Sequence, residues 1–221
     1  MHVLILTASP RKNGNTNALV RAFCEELDDN GAKQAGCDKK RLDEQTGCVK
    51  NEIGTVRYEV VNLYDMQIEP CLACRHCQEN WEQPNCVRQD DLSKGLFDRI
   101  LQAELIVLAT PVYSWYCTAP AKALLDRCVY ATNKYYGTAD SKERGPSIWA
   151  GKKMALITTC GYPPEKGADL LEEGIRRYCK HSGLQYAGML CERHMGYAVP
   201  FMDKEKAERA KAFARTLLGI K

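Results

Sequence analysis

Residues 9–17, which read SPRKNGNTN, combine residue types and spacing that can bind an anion. They follow an apolar run at residues 2–8 and precede a segment whose apolar residues recur at helical spacing. Backbone N–H groups at the start of a helix are free to bind an anion, and the helix dipole favours negative charge there. The segment therefore predicts a phosphate-binding loop, with an ordinary capped turn as the alternative. Side-chain donors for the phosphate are expected from Ser9, Arg11, Asn15, Thr16 and Asn17.

This loop lacks the signatures of the common nucleotide sites. The chain contains neither the GxxxxGK[ST] pattern of a P-loop nor the GxGxxG pattern of a dinucleotide site. The loop also has no cysteine followed by an arginine, which phosphate-transferring cysteine enzymes of similar layout need. A different phosphate-containing ligand is therefore expected.

A second loop follows another apolar run, at residues 104–110, and precedes a helix with Pro120 in its first turn. Loops after the first and third strands of an open parallel sheet flank the crevice where ligands bind. One loop offers phosphate donors and the other a flat apolar surface, which fits a phosphate joined to a planar ring system and so predicts flavin mononucleotide (FMN) as the ligand. For the aromatic loop alone, a cluster of rings packed at the surface is the alternative. The residues of this second loop are Pro111, Val112, Tyr113, Ser114, Trp115 and Tyr116.

These segments, in this order, resemble the flavodoxin-like NAD(P)H-dependent FMN reductase family. The resemblance spans nearly the whole chain and is carried by residues 9–16, 70–91, 110–113 and 121–127. It implies that the first loop binds the FMN phosphate and that the Pro-x-Tyr loop contacts the isoalloxazine. It also implies that a loop after the fourth strand closes over the flavin, with cofactor contacts at Thr159, Cys160, Gly161 and Tyr162.

The resemblance implies an FMN-dependent oxidoreductase that takes hydride from NADH or NADPH. Electrons then pass to a small-molecule acceptor such as a quinone, a free flavin or a nitroaromatic compound. The flavin supplies the chemistry, so no catalytic side chain is expected. Asp126 and Arg127 are expected to stabilise their helix and its packing. The family also implies a homodimer or homotetramer. Two alternatives are an electron carrier without small-molecule turnover and a redox-responsive binding protein.

Apolar runs alternate with helical patterns along the chain, as in a doubly wound α/β protein. We expect one flavodoxin-like domain over residues 1–221, with a five-stranded parallel sheet in the order 2-1-3-4-5 and helices on both faces. Gly31 is expected to end the first helix. The predicted strands are residues 2–8, 56–63, 104–110, 152–159 and 184–191. The predicted helices are residues 17–30, 91–102, 120–131, 167–181 and 203–218.

Two connections are long. Residues 32–55 form a longer polar connection than the family usually has, and we expect a surface insertion without an assigned function. Residues 135–149 are rich in glycine, serine and charge, and we expect a loop at the rim of the active site.

Four of the twelve cysteines lie in one loop, at residues 70–90, with the spacing C-x2-C-x2-C-x8-C. In a reducing compartment, metal or redox chemistry is favoured over disulfides, and a tight triple of cysteines is more typical of iron–sulfur ligation than of zinc. Iron–sulfur flavoproteins, a subset of the family, bind a [4Fe–4S] cluster through a compact four-cysteine motif, although the last gap is longer here. A cluster, a zinc ion and cysteines without metal remain as alternatives for Cys71, Cys74, Cys77 and Cys86.

The overall charge is nearly balanced. The chain has 31 basic and 28 acidic residues, for a net charge of +3, which gives no reason to expect a nucleic acid or a membrane as partner. It contains no apolar stretch of about 18 residues, and its first residues enter a strand without a secretory signal. We therefore expect a cytoplasmic protein.

Overall fold

The fold is an α/β arrangement around one large sheet. The computed structural model describes residues 1–35, 41–43, 48–53, 56–79, 86–135, 144–196 and 198–220. The strands are β1 His2–Thr7, β2 Arg41–Asp43, β3 Cys48–Ile53, β4 Val56–Asn62, β5 Leu105–Pro111, β6 Asn133–Tyr135, β7 Arg144–Ser147, β8 Lys153–Cys160 and β9 Gln185–Arg193. The α-helices are α1 Asn15–Ala35, α2 Phe97–Gln102, α3 Ala119–Thr132, α4 Pro164–Gly167, α5 Asp169–Ser182 and α6 Lys204–Leu218.

Five parallel strands form the centre of the main sheet, in the order β4-β1-β5-β8-β9. Numbered by their position in the chain, they have the order 2-1-3-4-5, so the flavodoxin-like prediction is confirmed. β1 lies between β4 and β5, because Val3 pairs with Tyr58 of β4 on one side and with Leu105 of β5 on the other. The apolar runs predicted these strands because a parallel sheet is covered on both faces.

The main sheet has seven strands rather than five, because part of the insertion adds two antiparallel strands. β3 pairs with β4, with Val49 opposite Val60, and β2 pairs with β3. The edge of a sheet presents unpaired backbone N–H and C=O groups. The insertion pairs with these groups at the edge formed by β4 and so extends the sheet. Residues 36–40, 44–47 and 54–55 of this segment lie outside the described residues.

The two faces of the sheet have separate apolar cores. Successive side chains of a strand point to opposite faces. Leu4 and Leu6 accordingly join one core, with residues of α2, α3 and α5, whereas Val3 and Ile5 join the other, with residues of α1 and α6. None of the helices in the described ranges combines the length and apolarity needed to cross a bilayer.

Three local predictions are corrected. α1 continues through Gly31 to Ala35, because a helix tolerates an interior glycine at a cost of only about 1 kcal/mol. The predicted helix at residues 91–102 is kinked at Gly95, whose backbone is not helical, and α2 begins only at Phe97. Part of the predicted rim loop forms the β6–β7 pair, and Trp149 at its end is 1% exposed and packs edge-on against Tyr178.

Candidate functional site

A cleft of about 610 Å³ lies where β1, β5 and β8 end. The carboxyl ends of parallel strands meet at one edge of the sheet, which is where α/β proteins bind ligands. The cleft brings together most of the residues predicted for the two main loops. It is lined by Ser9, Pro10, Arg11, Asn15, Thr16, Pro111, Val112, Tyr113, Thr159, His194, Gly196, Val199, Pro200 and Phe201.

The loop between β1 and α1 is a tight turn around Gly14. The N–H of Gly14 donates to the carbonyl of Arg11 at 2.8 Å, and the N–H of Ala18 donates to the carbonyl of Gly14 at 3.0 Å. A Cβ atom at Gly14 would lie 3.0 Å from the Arg11 carbonyl oxygen and 3.2 Å from Ser9 Oγ. The loop therefore closes tightly only with glycine at this position.

The first turn of α1 presents backbone donors at this turn. The N–H groups of Asn15, Thr16 and Asn17 precede the first helical hydrogen bond, so they have no partner within the helix. The Asn17 side chain does not line the cleft. Its amide donates to the carbonyls of Arg11 at 3.0 Å and Lys12 at 3.2 Å, and so it holds the loop in shape. Backbone donors at a helix N-terminus beside a glycine turn fit a phosphate group.

Two buried hydroxyl groups join the loop to the end of β8. Thr16 Oγ1 and Thr159 Oγ1 are 2.8 Å apart, and both residues line the cleft. Two hydroxyls carry two protons, whereas their mutual hydrogen bond uses one. The pair can therefore donate one further hydrogen bond to an acceptor in the cleft, as a phosphate oxygen would require.

The loop after β5 turns sharply at two residues with positive φ. The backbones of Tyr113 and Tyr116 exchange hydrogen bonds of 2.9 and 3.0 Å, and Ser114 and Trp115 between them have φ values of 50° and 62°. Such a turn favours asparagine and glycine, so this pair is strained by about 1–3 kcal/mol per residue. The strain holds the Trp115 ring, which is about half exposed, beside the cleft. Strained backbone of this kind is typical of functional sites.

The aromatic turn meets the loop after β8 in a smaller cleft of about 150 Å³. The rings of Trp115 and Tyr162 are stacked, with centroids 6.1 Å apart. The Cys160 side chain points away from solvent. Its thiol donates a hydrogen bond to the Tyr162 carbonyl in the same loop, and its sulfur lies 3.5 Å from the Cys191 sulfur. The hydrogen bond from Cys191 lowers the pKa of the Cys160 thiol. The smaller cleft is lined by Val112, Ser114, Trp115, Cys160, Gly161, Tyr162 and Gly167.

The segment after β9 also reaches the cleft, and the sequence interpretation did not assign it to the site. His194 is anchored there, since its N–H donates to the Cys160 carbonyl at 3.0 Å. The strand order could have placed this segment at the cleft, because β9 ends at the same edge of the sheet as the other parallel strands. Its residues in the cleft are His194, Gly196, Val199, Pro200 and Phe201.

The four cysteines of the long loop line one cavity of about 100 Å³, apart from the cleft. The loop is attached to the end of α3, because the Gln78 amide donates to the carbonyls of Tyr130 and Asn133. Its backbone has positive φ at Ala73 and Arg75, and the Ala73 N–H donates to the Cys71 sulfur at 3.4 Å. The lining cysteines are Cys71, Cys74, Cys77 and Cys86.

The four cysteine thiols are the candidate ligands for a metal ion or a cluster at this cavity. Within the described ranges, no three His, Cys, Asp or Glu side chains converge as ligands of one metal ion, which disfavours the zinc alternative. The thiols nevertheless influence one another. Burial, followed by the charges of Cys86, Cys71 and Cys74, raises the pKa of Cys77 to about 11. Four cysteines around one cavity are the donor set that would hold a [4Fe–4S] cluster.

Arg127 and Asp126 have different environments although they are neighbours in α3. Asp126 forms an exposed ion pair with Lys122, one helical turn away, at 2.5 Å. Arg127 is buried and forms an ion pair with Asp90, which also accepts a hydrogen bond from the Glu69 N–H at 2.9 Å. Arg127 therefore joins α3 to both ends of the cysteine loop, in addition to its expected role in packing.

Comparisons with known proteins agree with the fold. A profile of the NADPH-dependent FMN reductase family matches residues 1–173. Curated relatives include an iron-sulfur flavoprotein from Methanocaldococcus jannaschii, 27% identical over 127 residues that cover 58% of this chain and 51% of that protein. Another is an FMN-dependent NADH:quinone oxidoreductase from Xanthomonas oryzae, 26% identical over 131 residues that cover 58% of this chain and 62% of that protein. The chain thus spans about half the length of the first of these relatives.

Solved structures share the fold at low identity. An NAD(P)H:quinone oxidoreductase from Methanothermobacter marburgensis superposes with a TM-score of 0.65, at 22% identity and 98% coverage of both chains. An azoreductase from Bacillus anthracis has a TM-score of 0.63 at 12% identity, with 100% of both chains covered. The family resemblance seen in the sequence is confirmed by the profile, which matches well over half of the chain. This protein belongs to the NADPH-dependent FMN reductase family.

Proposed function

We propose that this protein is an FMN-dependent oxidoreductase that takes hydride from NAD(P)H and passes electrons to a small acceptor. A quinone, a flavin or a nitroaromatic compound would fit this role. The observation that carries the proposal is the cleft itself, which has a phosphate loop on one side and a strained aromatic turn on the other. Family membership and the quinone oxidoreductases among the relatives support it.

The phosphate end of the cofactor would be held by the loop after β1. Backbone N–H groups of Asn15 and Thr16 would donate to phosphate oxygens, and the Arg11 guanidinium would add charge. The Thr16–Thr159 hydroxyl pair would donate its remaining proton. These donors stabilise a dianionic ligand without any metal ion.

The ring end would lie against the loops after β5 and β8. Pro111, Val112 and Tyr113 line the main cleft, and Ser114 and Trp115 form the turn that leads into the smaller one. The backbone of residues 160–162 would cover the opposite side. When bound, FMN supplies a ring that accepts hydride and returns electrons. The residues here position the ring and exclude water, and no side-chain acid or base is required.

Both substrates would use the same open side of the cleft, so they would bind in turn. A ping-pong rate law is the expected consequence. The exposed rings of Tyr113, Trp115 and Tyr162 around the opening support a neighbouring subunit that completes the site, in a homodimer or homotetramer. We infer one FMN-binding domain over residues 1–221. A cytoplasmic location is consistent with the free thiols of the described cysteines.

A second candidate function is electron transfer through a [4Fe–4S] cluster bound by the cysteine loop. The specific observation in its favour is that all four cysteines line one cavity. Iron–sulfur flavoproteins among the relatives support it. A cluster would supply a one-electron redox centre. Cys71, Cys74, Cys77 and Cys86 would hold it.

Absorption spectroscopy of anaerobically purified protein tests both candidates, with iron and acid-labile sulfide assayed on the same sample. Flavin bands, together with steady-state oxidation of NAD(P)H when a quinone is added, support the oxidoreductase. Flavin and about four irons per chain, with little NAD(P)H oxidation, support the carrier. The proposed function is wrong if the protein takes up no flavin after reconstitution with FMN.

A further inference from the structure

Arg127 is a buried cation with unused hydrogen-bond donors. Its side chain is 3% exposed. Nη1 donates to the Asp90 carboxylate and lies 3.4 Å from the Glu69 carbonyl oxygen, whereas Nε and Nη2 are buried without a partner. Guanidinium N–H groups that are removed from water without a partner are costly, by about 1–3 kcal/mol or more for each group. A ligand that accepts from these nitrogens would account for their position.

The unpaired nitrogens belong to a wall of the cysteine cavity. Arg127 lines this cavity together with the four cysteines. The guanidinium and the cysteine thiols therefore line the same small cavity.

Arg88 repeats the pattern on the same cavity. Its Nε is also buried without a partner, while its Nη1 pairs with Glu69. Arg75, His76 and Asp98 complete the polar part of the lining. The cavity therefore offers free guanidinium N–H donors beside the cysteines, which fits a ligand with soft acceptor atoms.

A cysteine-ligated iron–sulfur cluster has these properties. Its thiolates and sulfides give it a net negative charge, which increases when the cluster is reduced. Hydrogen bonds to its sulfurs and the charge around it are the main means by which a protein adjusts its reduction potential. A cation with free donors in the wall of the same cavity would favour the reduced cluster over the oxidised one.

The geometry points to Arg127 as the residue that sets the reduction potential of a cluster bound in the cysteine cavity. Its Nε and Nη2 donate to a cluster or cysteine sulfur and raise the potential, and Asp90 orients the guanidinium and partly offsets its charge. This inference rests on the second candidate function and concerns residues outside the cysteine motif.

The test is a redox titration of the full-length protein reconstituted anaerobically with ferrous iron and sulfide, followed by electron paramagnetic resonance. Arg127→Gln should lower the midpoint potential by about 59 mV or more, a tenfold change for one electron. Asp90→Asn should shift it in the opposite direction, because it removes a negative charge. Arg99→Gln is the control, since it also breaks an arginine–carboxylate ion pair, with Glu59, but outside the cavity lining.

Three outcomes would overturn the inference. The first is a midpoint potential of Arg127→Gln equal to that of the control. The second is a shift of Arg127→Gln and Asp90→Asn in the same direction. The third is wild-type protein that binds FMN but no iron, which would remove the cluster and leave the flavin function intact. If Arg127→Gln does not fold, Arg88→Gln replaces it, with a smaller decrease expected because Arg88 is more exposed.

Discussion

We expect the Thr16→Val substitution to weaken FMN binding much more than Thr159→Val does. Valine matches threonine in shape, so each change removes a hydroxyl with little change in packing. The two hydroxyls share one hydrogen bond of 2.8 Å, which leaves one proton for a ligand. Thr16 lies in the first turn of α1, beside the backbone N–H groups of the phosphate loop, and is therefore the expected donor to the phosphate.

The magnitude follows from the charge of the acceptor. A hydrogen bond to a charged group contributes about 1.5–3 kcal/mol, which is about 10- to 150-fold in the dissociation constant. Thr159→Val removes only the neutral bond between the hydroxyls, worth about 1 kcal/mol, and Thr16 can still donate. We expect a loss of about fivefold for that variant.

The assay is a fluorescence-quenching titration of apoprotein with FMN and, in parallel, with riboflavin. Riboflavin has the same ring and ribityl chain without the phosphate, so its affinity should be similar in wild type and Thr16→Val. If Thr16→Val lost the same factor of affinity for FMN and for riboflavin, the substitution would not be acting through the phosphate. Unchanged FMN affinity in Thr16→Val would refute the reasoning, as would a larger effect of Thr159→Val.

Three further predictions concern stability. Arg127→Met should lower the free energy of unfolding by about 3–5 kcal/mol because it leaves the Asp90 carboxylate buried and unpaired, whereas Lys122→Met in the exposed pair should cost about 0.5 kcal/mol. Urea denaturation compares the two, and similar losses would contradict the buried pair. The pKa of Asp90 is lowered, because its hydrogen bonds outweigh burial. The ionised Asp90 carboxylate should therefore stabilise the fold above its ordinary pKa of 3.8, and this stabilisation should be lost as the pH falls through the lower folded-state pKa. In Asp90→Asn, the free energy of unfolding should decrease less steeply as the pH is lowered through this range. Gly174→Ala should cost about 1–3 kcal/mol, since its Cβ would lie 2.8 Å from the Tyr116 ring, and a neutral result in thermal unfolding would show that the ring moves freely.

The parallel core and the phosphate loop were accessible from the sequence because their signals are local. Apolar runs such as residues 2–7 and 105–111 predict strands buried on both faces. Alternation of strands and helices then places the carboxyl ends of the strands at one edge, which is why Thr16 and Thr159, distant in sequence, were both assigned to the same site.

Other features depend on contacts between distant segments. β3 was not predicted, because its polar sequence becomes a strand only through pairing with the edge of β4. His194 joined the site because β9 ends beside β8, with which it pairs. Residues 135–149 were expected to form a loop at the rim of the active site, yet Trp149 at the end of this segment is buried in the core.

The sequence by itself determined the strands and the loops that form the cleft, because these follow from apolar periodicity and from turn and helix-start residues. The family and the strand order were accessible through the motifs by which the chain resembles that family. Only the tertiary structure decided that Arg127, expected to serve its own helix, pairs with Asp90 and faces the cysteine cavity. The physical reason is that the charge of Arg127 is visible in the chain, whereas its burial and its unpaired nitrogens exist only once α3 and the cysteine loop have packed together.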